Sequence, residues 1–167
     1  SWYEWGKTIL DFFSKSTKYN LVFAPHILIK EWKQRRLTLK DYNKHDNIYV
    51  DLESHQLIDM TYTIMADVYL GDVSSQVFEF ILKPRPCLFL NAKNLIRTNE
   101  LEFPQWDFGE VITDINDFSL KIDSVIEEHH KYIDNQKQFI KKNIFGLDSS
   151  SGKRGAQAII NKFSLVV

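Results

Sequence analysis

The 167-residue sequence has one cysteine, six glycines, four prolines and no long apolar run. The lone Cys87 excludes an internal disulfide, and its place in a predicted strand favours a reducing cytoplasm. No segment approaches the length of a membrane span, and no signal-peptide pattern opens the chain. Twenty-one basic against 22 acidic residues give a net charge of −1, which excludes the basic footprint of a nucleic-acid-binding protein.

The composition is that of a soluble globular protein, with 44% hydrophobic and 26% charged residues. The length suits one domain or slightly more. The chain starts at Ser1 rather than Met, which indicates a fragment, processing or a tag remnant. It contains no internal repeat, no Gly-x-Gly-x-x-Gly fingerprint, no Cys-x-x-Cys and no Ser-His-Asp arrangement that spacing could support.

The most informative segment of the sequence is 66–90, ADVYLGDVSSQVFEFILKPRPCLFL. Its apolar run 68–70 predicts a strand, residues 71–75 predict a tight turn, and apolar residues at helical spacing follow from Val77 to Leu82. Pro84 and Pro86 end the helix, and residues 87–90 predict a second buried strand. The segment is therefore predicted to be a βαβ unit.

The turn of this unit contains residue types that suit an anion. The first turn of a helix leaves backbone N–H groups unpaired at the positive end of the helix dipole, here beside the hydroxyls of Ser74 and Ser75. Asp72, Ser74 and Ser75 are also residue types that simply cap helices. From the residues alone, capping is the better-supported interpretation.

Strands and helices alternate along the chain. Residues 2–17 predict an amphipathic helix whose aromatic face favours core packing over a membrane anchor. Further strands are predicted at 21–24, 48–50 and, as an edge strand, 111–112, and helices at 27–36, 54–65, 117–143 and 156–163. This order predicts an α/β fold, a Rossmann-like parallel sheet with helices on both faces, over residues 20–167 after an N-terminal helix at 1–19.

Ligands of such sheets bind at the carboxyl ends of the strands. Pro25-His26, Asp51 and the turn 71–75 all follow predicted strands, so we expect three loops to meet at this edge. The long loop 91–109 is of a length that is usually functional or mobile, and its Lys93 and Arg97 could steer a phosphate or simply aid solubility.

Two weaker motifs favour a structural interpretation. Glu127 and His130 share a predicted helix face, but two candidate ligands are too few for a metal site, and no metal is predicted. Residues 149–155, SSSGKRG, only partly match a phosphate-binding P-loop and are better read as a turn before the last helix.

The run D-V-S-S-Q-V-F-E-F-I-L-x-x-R-P-C-L-F, starting at Asp72, resembles the nucleotide-binding segment of the CDP-glycerol glycerophosphotransferase family, D-Y-S-S-x-x-F-D-x-x-x-x-x-K-P-x-x-F. Glu79 stands at the family's Asp and Arg85 at its Lys. Pro25-His26 matches part of a basic-Pro-His-Pro motif, with Ala24 and Ile27 as departures. The residues in register in the main run are Asp72, Ser74, Ser75, Phe78, Pro86 and Phe89.

The resemblance implies the C-terminal, nucleotide-binding half of a two-domain GT-B type transferase of cell-envelope polymers such as teichoic acid or capsule. By this resemblance Asp72, Ser74 and Ser75 belong to the diphosphate segment, Glu79 contacts the ribose, and His26 assists phosphate stabilisation or proton transfer. It implies a nucleotide-diphosphate donor, CDP-glycerol or a nucleotide sugar, and no further cofactor.

The resemblance also implies an N-terminal acceptor domain that this sequence lacks, so we expect donor binding without turnover. The full-length protein would be cytoplasmic and work at the inner face of the plasma membrane. Two alternatives remain: a non-catalytic, degenerate transferase-like module that senses a ligand or docks a partner, and epimerase-like chemistry on UDP-N-acetylhexosamine. The altered motif around His26 favours the module.

Overall fold

A computed structural model describes residues 1–25, 39, 41–99, 101–144, 146 and 150–163. His26 and the helix predicted at 27–36 lie outside these residues. None of the described helices is long and apolar enough to cross a membrane. The helices and strands, in chain order, are α1 Trp2–Lys15, β1 Leu21–Phe23, β2 Ile48–Val50, α2 Thr61–Met65, β3 Tyr69–Gly71, α3 Gln76–Phe80, β4 Cys87–Leu90, β5 Glu110–Ile112, α4 Phe118–Glu128, α5 Ile133–Asn143 and α6 Ser151–Phe163.

All the described strand pairs are parallel. β1 pairs with β2, placing Leu21 opposite Ile48. β3, β4 and β5 form a second sheet in that order, with Tyr69 opposite Cys87 and Leu88 opposite Glu110. The predicted Rossmann-like α/β class is therefore confirmed, as are the β3-α3-β4 unit and the edge position of β5. The described strands form two parallel sheets instead of the single sheet that the sequence predicts.

One hydrophobic core joins the two sheets. The buried face of α1 packs in this core with residues of β2, with Leu88 of β4 and with Ile112 of β5. The aromatic stripe of the first helix is therefore core packing, as predicted. The division of the chain at residue 19 stays a prediction. The buried members of this core are Trp5, Ile9, Leu10, Phe13, Leu39, Ile48, Val50, Leu52, Leu88, Ile112, Phe118, Ile122 and Val125.

The continuous helix predicted at 54–65 is wrong. The chain makes a 3₁₀ turn at His55–Leu57 and begins α2 only at Thr61, after Met60 adopts a left-handed backbone with φ of 67°. Asp59 accepts hydrogen bonds from the backbone and hydroxyl of Thr61, which fixes the new start. Ile58 and Met65, predicted to face inward, are each 72% exposed.

The helical pattern predicted at 117–143 is interrupted. A 3₁₀ turn at His129–Lys131 separates α4 from α5, and Leu120, predicted as part of the apolar pattern, is 69% exposed. The last helix begins at Ser151 rather than Ala156. Periodicity identified these helices but could not locate their ends, because polar exposed residues continue the helical spacing across the breaks.

Arg85 ties together the ends of two helices. Its guanidinium donates to the carbonyls of Ala66 at 2.5 Å, Thr63 at 2.8 Å and Phe80 at 2.6 Å, and lies 3.9 Å from the centre of the Phe80 ring. The carbonyls at helix C-termini carry negative partial charge, so a cation there is stabilising. Burial lowers the pKa of Arg85.

Gln136 connects the backbone segments that lead into two strands, β4 and β5. Its fully buried carboxamide accepts from the N–H of Arg85 at 3.0 Å and donates to the carbonyls of Arg85 at 2.9 Å and Phe108 at 2.7 Å. These groups lie just before β4 and β5, so one side chain on α5 fixes the entry to both strands. Because its Nε2 donates to two carbonyls, its Oε1 is the acceptor that faces His129 Nε2 at 3.2 Å.

Gly109 allows β5 to approach β4. A Cβ at this position would lie 2.1 Å from the Cys87 carbonyl oxygen, which real atoms cannot do. The backbone of Gly109 is extended, so close approach and not φ requires glycine here.

We predict that Gln136→Leu lowers the free energy of unfolding by at least about 3 kcal/mol, because an N–H and two carbonyls lose their partners inside the protein. Urea denaturation followed by circular dichroism measures the loss. Gln157→Leu, on the exposed face of α6, is the matched control and should change stability little. Equal effects of the two substitutions would contradict the role assigned to Gln136.

We predict that Gly109→Ala destabilises the protein by about 2 kcal/mol or more, since the methyl group would overlap a strand carbonyl and force the backbone apart. Gly152→Ala is the control, because a Cβ there meets nothing within 4 Å and alanine favours the helix. Thermal unfolding of both variants tests the pair, and an unchanged melting temperature for Gly109→Ala would show that β4 and β5 are not this close.

Candidate functional site

The turn that follows β3 presents two serines at the carboxyl edge of the sheet. Ser75 precedes α3 with helical angles, φ −62° and ψ −28°. Its side chain is exposed, and its hydroxyl makes no hydrogen bond within the described part of the chain. The Ser74 hydroxyl accepts from the N–H of Gln76 at 3.3 Å, so this serine caps the helix.

Fewer backbone N–H groups are unpaired at the start of α3 than the sequence predicts. The N–H groups of Val77 and Phe78 bond to the carbonyls of Ser74 at 3.3 Å and Ser75 at 3.1 Å. Within the described residues, the groups left for a ligand include the N–H groups of Ser74 and Ser75 and the Ser75 hydroxyl. α3 has only five residues, so its dipole adds little.

Glu79 lies on the same side of α3 as Ser75. Residues four apart on a helix are neighbours on its surface, and Ser75 already has helical angles. Glu79 is exposed, whereas Val77 and Phe80 are buried in a second core cluster. The buried members of this cluster are Val77, Phe80, Ile81, Cys87, Phe89 and Phe108. The structure therefore brings Ser75 and Glu79 together on the open face of this helix.

Asp72 is engaged differently. Its side chain is 54% exposed, and its carboxylate accepts from the Ser1 backbone nitrogen at 2.8 Å and from the Ser1 hydroxyl. The same hydroxyl oxygen lies 2.9 Å from the carbonyl oxygen of Leu90, at the end of β4. The start of α1 therefore sits on the carboxyl edge, and Asp72 connects it to the serine turn.

Asp51 organises the loop after β2. Its carboxylate is 5% exposed and accepts from the N–H of Ser54 at 2.9 Å and from the Tyr62 hydroxyl at 2.5 Å. Burial, and then the hydrogen bond to Asp51, raise the pKa of Tyr62 to about 12. A cavity of about 330 Å³ opens here, lined by Asn43, Val50, Asp51, Leu52, Glu53 and Ser54. The serine turn does not line this cavity.

The loop after β4 is tied at several points. Buried Asn91 donates to the Leu95 carbonyl at 3.0 Å and accepts from its N–H at 2.9 Å. Arg97 forms a two-point ion pair with Asp107, at 2.6 and 2.9 Å, so its charge is engaged within the loop. Lys93 is exposed.

Two residues near the turn were missed from the sequence. Gln105 Nε2 lies 3.4 Å from the Ser74 carbonyl oxygen, which brings the 3₁₀ turn Pro104–Phe108 beside the serines. Asn91 carried a usable signal, since a small amide directly after a buried strand often organises a loop. Nothing in the sequence indicated Gln105, because its contact with Ser74 depends on the conformation of a long loop.

His26, the predicted catalytic residue, lies outside the described residues, and its role stays a prediction. No group of three or more His, Cys, Asp or Glu within the described residues could hold a metal ion. His130 Nδ1 faces the Glu127 carbonyl at 2.8 Å, and His129 faces Gln136. These contacts explain the acidic and histidine cluster as local helix structure.

Parallel strands with intervening helices define a Rossmann-like α/β protein, and the serine turn lies at the carboxyl edge of its sheet. A family model, CDP-Glycerol:Poly(glycerophosphate) glycerophosphotransferase, matches residues 8–161. The chain belongs to this family, which confirms the resemblance seen in the sequence. No curated protein and no solved structure matches it. Membership supports a cell-envelope transferase-like function and a nucleotide-linked donor in general.

We predict that Asn91→Ala loosens the loop beside the site. Losing the paired bonds to Leu95 should cost about 2 kcal/mol and speed amide exchange over residues 92–99. Hydrogen–deuterium exchange read by mass spectrometry measures the change. Lys93→Ala, an exposed substitution in the same loop, is the control, and identical exchange in both variants would contradict this role for Asn91.

Proposed function

We propose that this chain is the donor-binding domain of a glycerophosphotransferase with a two-domain, GT-B type architecture. The donor is CDP-glycerol or a related nucleotide-linked substrate. Its diphosphate binds at Ser74 and Ser75, Glu79 accepts a hydrogen bond from a ribose hydroxyl, and Asp72 holds the turn in place. The acceptor binds on another domain, at the inner face of the plasma membrane.

The observation that carries the proposal is the open face shared by Ser75 and Glu79. Ser75 offers a hydroxyl and a backbone N–H that have no partner in the described part of the protein. These are neutral donors suited to phosphate oxygens. A carboxylate one turn further along suits a sugar hydroxyl, because it can only accept hydrogen bonds.

The proposed chemistry is the transfer of a glycerophosphate group from the donor to an acceptor hydroxyl. An acceptor hydroxyl attacks the phosphorus that bears the glycerol, the bond from that phosphorus to the bridging oxygen breaks, and nucleoside monophosphate leaves. His26 would accept the hydroxyl proton or stabilise the phosphate charge, since an imidazole changes protonation near neutral pH. With a nucleotide sugar as donor, the attack would fall on the anomeric carbon.

We predict micromolar binding of CDP-glycerol and CDP, measured by isothermal titration calorimetry at fixed ionic strength. Ser75→Trp should weaken this binding at least about tenfold, because the indole would cover the open hydroxyl position. Glu79→Gln should weaken it less, since an amide can still accept one hydrogen bond.

The matched control is Ser119→Trp, an exposed serine on α4. This variant should bind as the parent chain does, with an unchanged circular dichroism spectrum. Equal affinities for the two tryptophan variants would remove the serine turn from the site. If CDP-glycerol, CDP and UDP sugars all fail to bind, the donor-binding function is wrong and the non-catalytic module becomes the better interpretation.

A further inference from the structure

An aromatic pair lies beside the serine turn. Phe103 and Trp106 flank the 3₁₀ turn whose Gln105 reaches the Ser74 carbonyl at 3.4 Å. Their ring centroids are 4.6 Å apart and their planes are inclined by 31°. The 3₁₀ turn that carries Trp106 therefore lies beside the serine turn.

The two rings have different neighbours. Trp106 packs against the second core cluster, which includes Val77 and Phe108. Phe103 contacts Trp106 and is half-buried, so part of its side chain is accessible. The face of Phe103 turned away from Trp106 is called its outer face.

The backbone holds Phe103 in an unfavourable conformation. Its φ of 47° and ψ of 52° are left-handed, which is uncommon for a bulky side chain, and the following Pro104 further disfavours that region. A Trp106 N–H to Phe103 carbonyl bond of 3.0 Å closes the turn. The ring is thus directed by local structure and not by core packing.

We propose that the outer face of Phe103 is the stacking platform for the nucleobase of the donor. This inference rests on the proposed function, and adds a base subsite to the phosphate and ribose positions. Base–aromatic stacking needs only an accessible π face, and a ring already in contact with Trp106 is ordered before the ligand arrives. The order would be base, Phe103, Trp106, then core.

The test compares CDP with ribose 5-diphosphate, which has the same phosphates and sugar but no base. Phe103→Leu should weaken CDP binding about tenfold and leave ribose 5-diphosphate binding within about twofold. Phe103→Gly removes the ring while suiting the left-handed backbone, so it should show the same selective loss in a chain whose turn is retained. Phe103→Tyr should bind CDP as the parent chain does.

Phe163→Leu, at an exposed phenylalanine of α6, is the control and should change neither affinity. An equal loss of both ligands in Phe103→Leu and Phe103→Gly would overturn the platform while leaving donor binding intact. Failure of the parent chain to bind either ligand would overturn the proposed function and the platform together.

Discussion

The arrangement around the candidate site depends on the hydrogen bonds of Arg85 and Gln136. The Arg85 side chain holds the C-terminal carbonyls of α2 and α3, while its backbone pairs with the Gln136 carboxamide from α5. Gln136 also holds the carbonyl of Phe108 before β5. Five elements therefore meet at two side chains, and a buried network of this kind stabilises the fold only while every member is paired.

This network lies at the end of the sheet opposite the candidate site. Arg85 and Gln136 act at the amino ends of β4 and β5, whereas the serine turn leaves the carboxyl end of β3. With the end of α3 held at Phe80, the orientation of so short a helix is set, and so is the face that carries Ser75 and Glu79. The side chains of Ser75 and Glu79 can remain exposed because neither is needed to hold α3 in place.

The sequence predicted the parts of the fold that apolar spacing determines. The core face of α1, the parallel strands and the turn before α3 all follow from residues close in the chain. The prediction failed where side-chain contacts or contacts between distant residues determine the local structure. Met60 and Asp59 break the expected helix, and Gln105 contacts Ser74 although a long loop separates them in the chain. The assignment of the serines and Glu79 to a donor site stays a prediction, and the sequence could not show that Asp72 contacts Ser1.

Charge alone does not explain how the site would hold a diphosphate. Arg85 is used on helix carbonyls and Arg97 on Asp107, while Asp72 and Glu79 bring negative charge to the turn. Among the described residues, the neutral donors of the serine turn and the exposed Lys93 are the candidates for phosphate contacts, and neutral contacts are weaker than charge-assisted ones. We therefore expect much of the affinity and specificity to come from the remainder of the donor, which is why the base contact proposed at Phe103 matters.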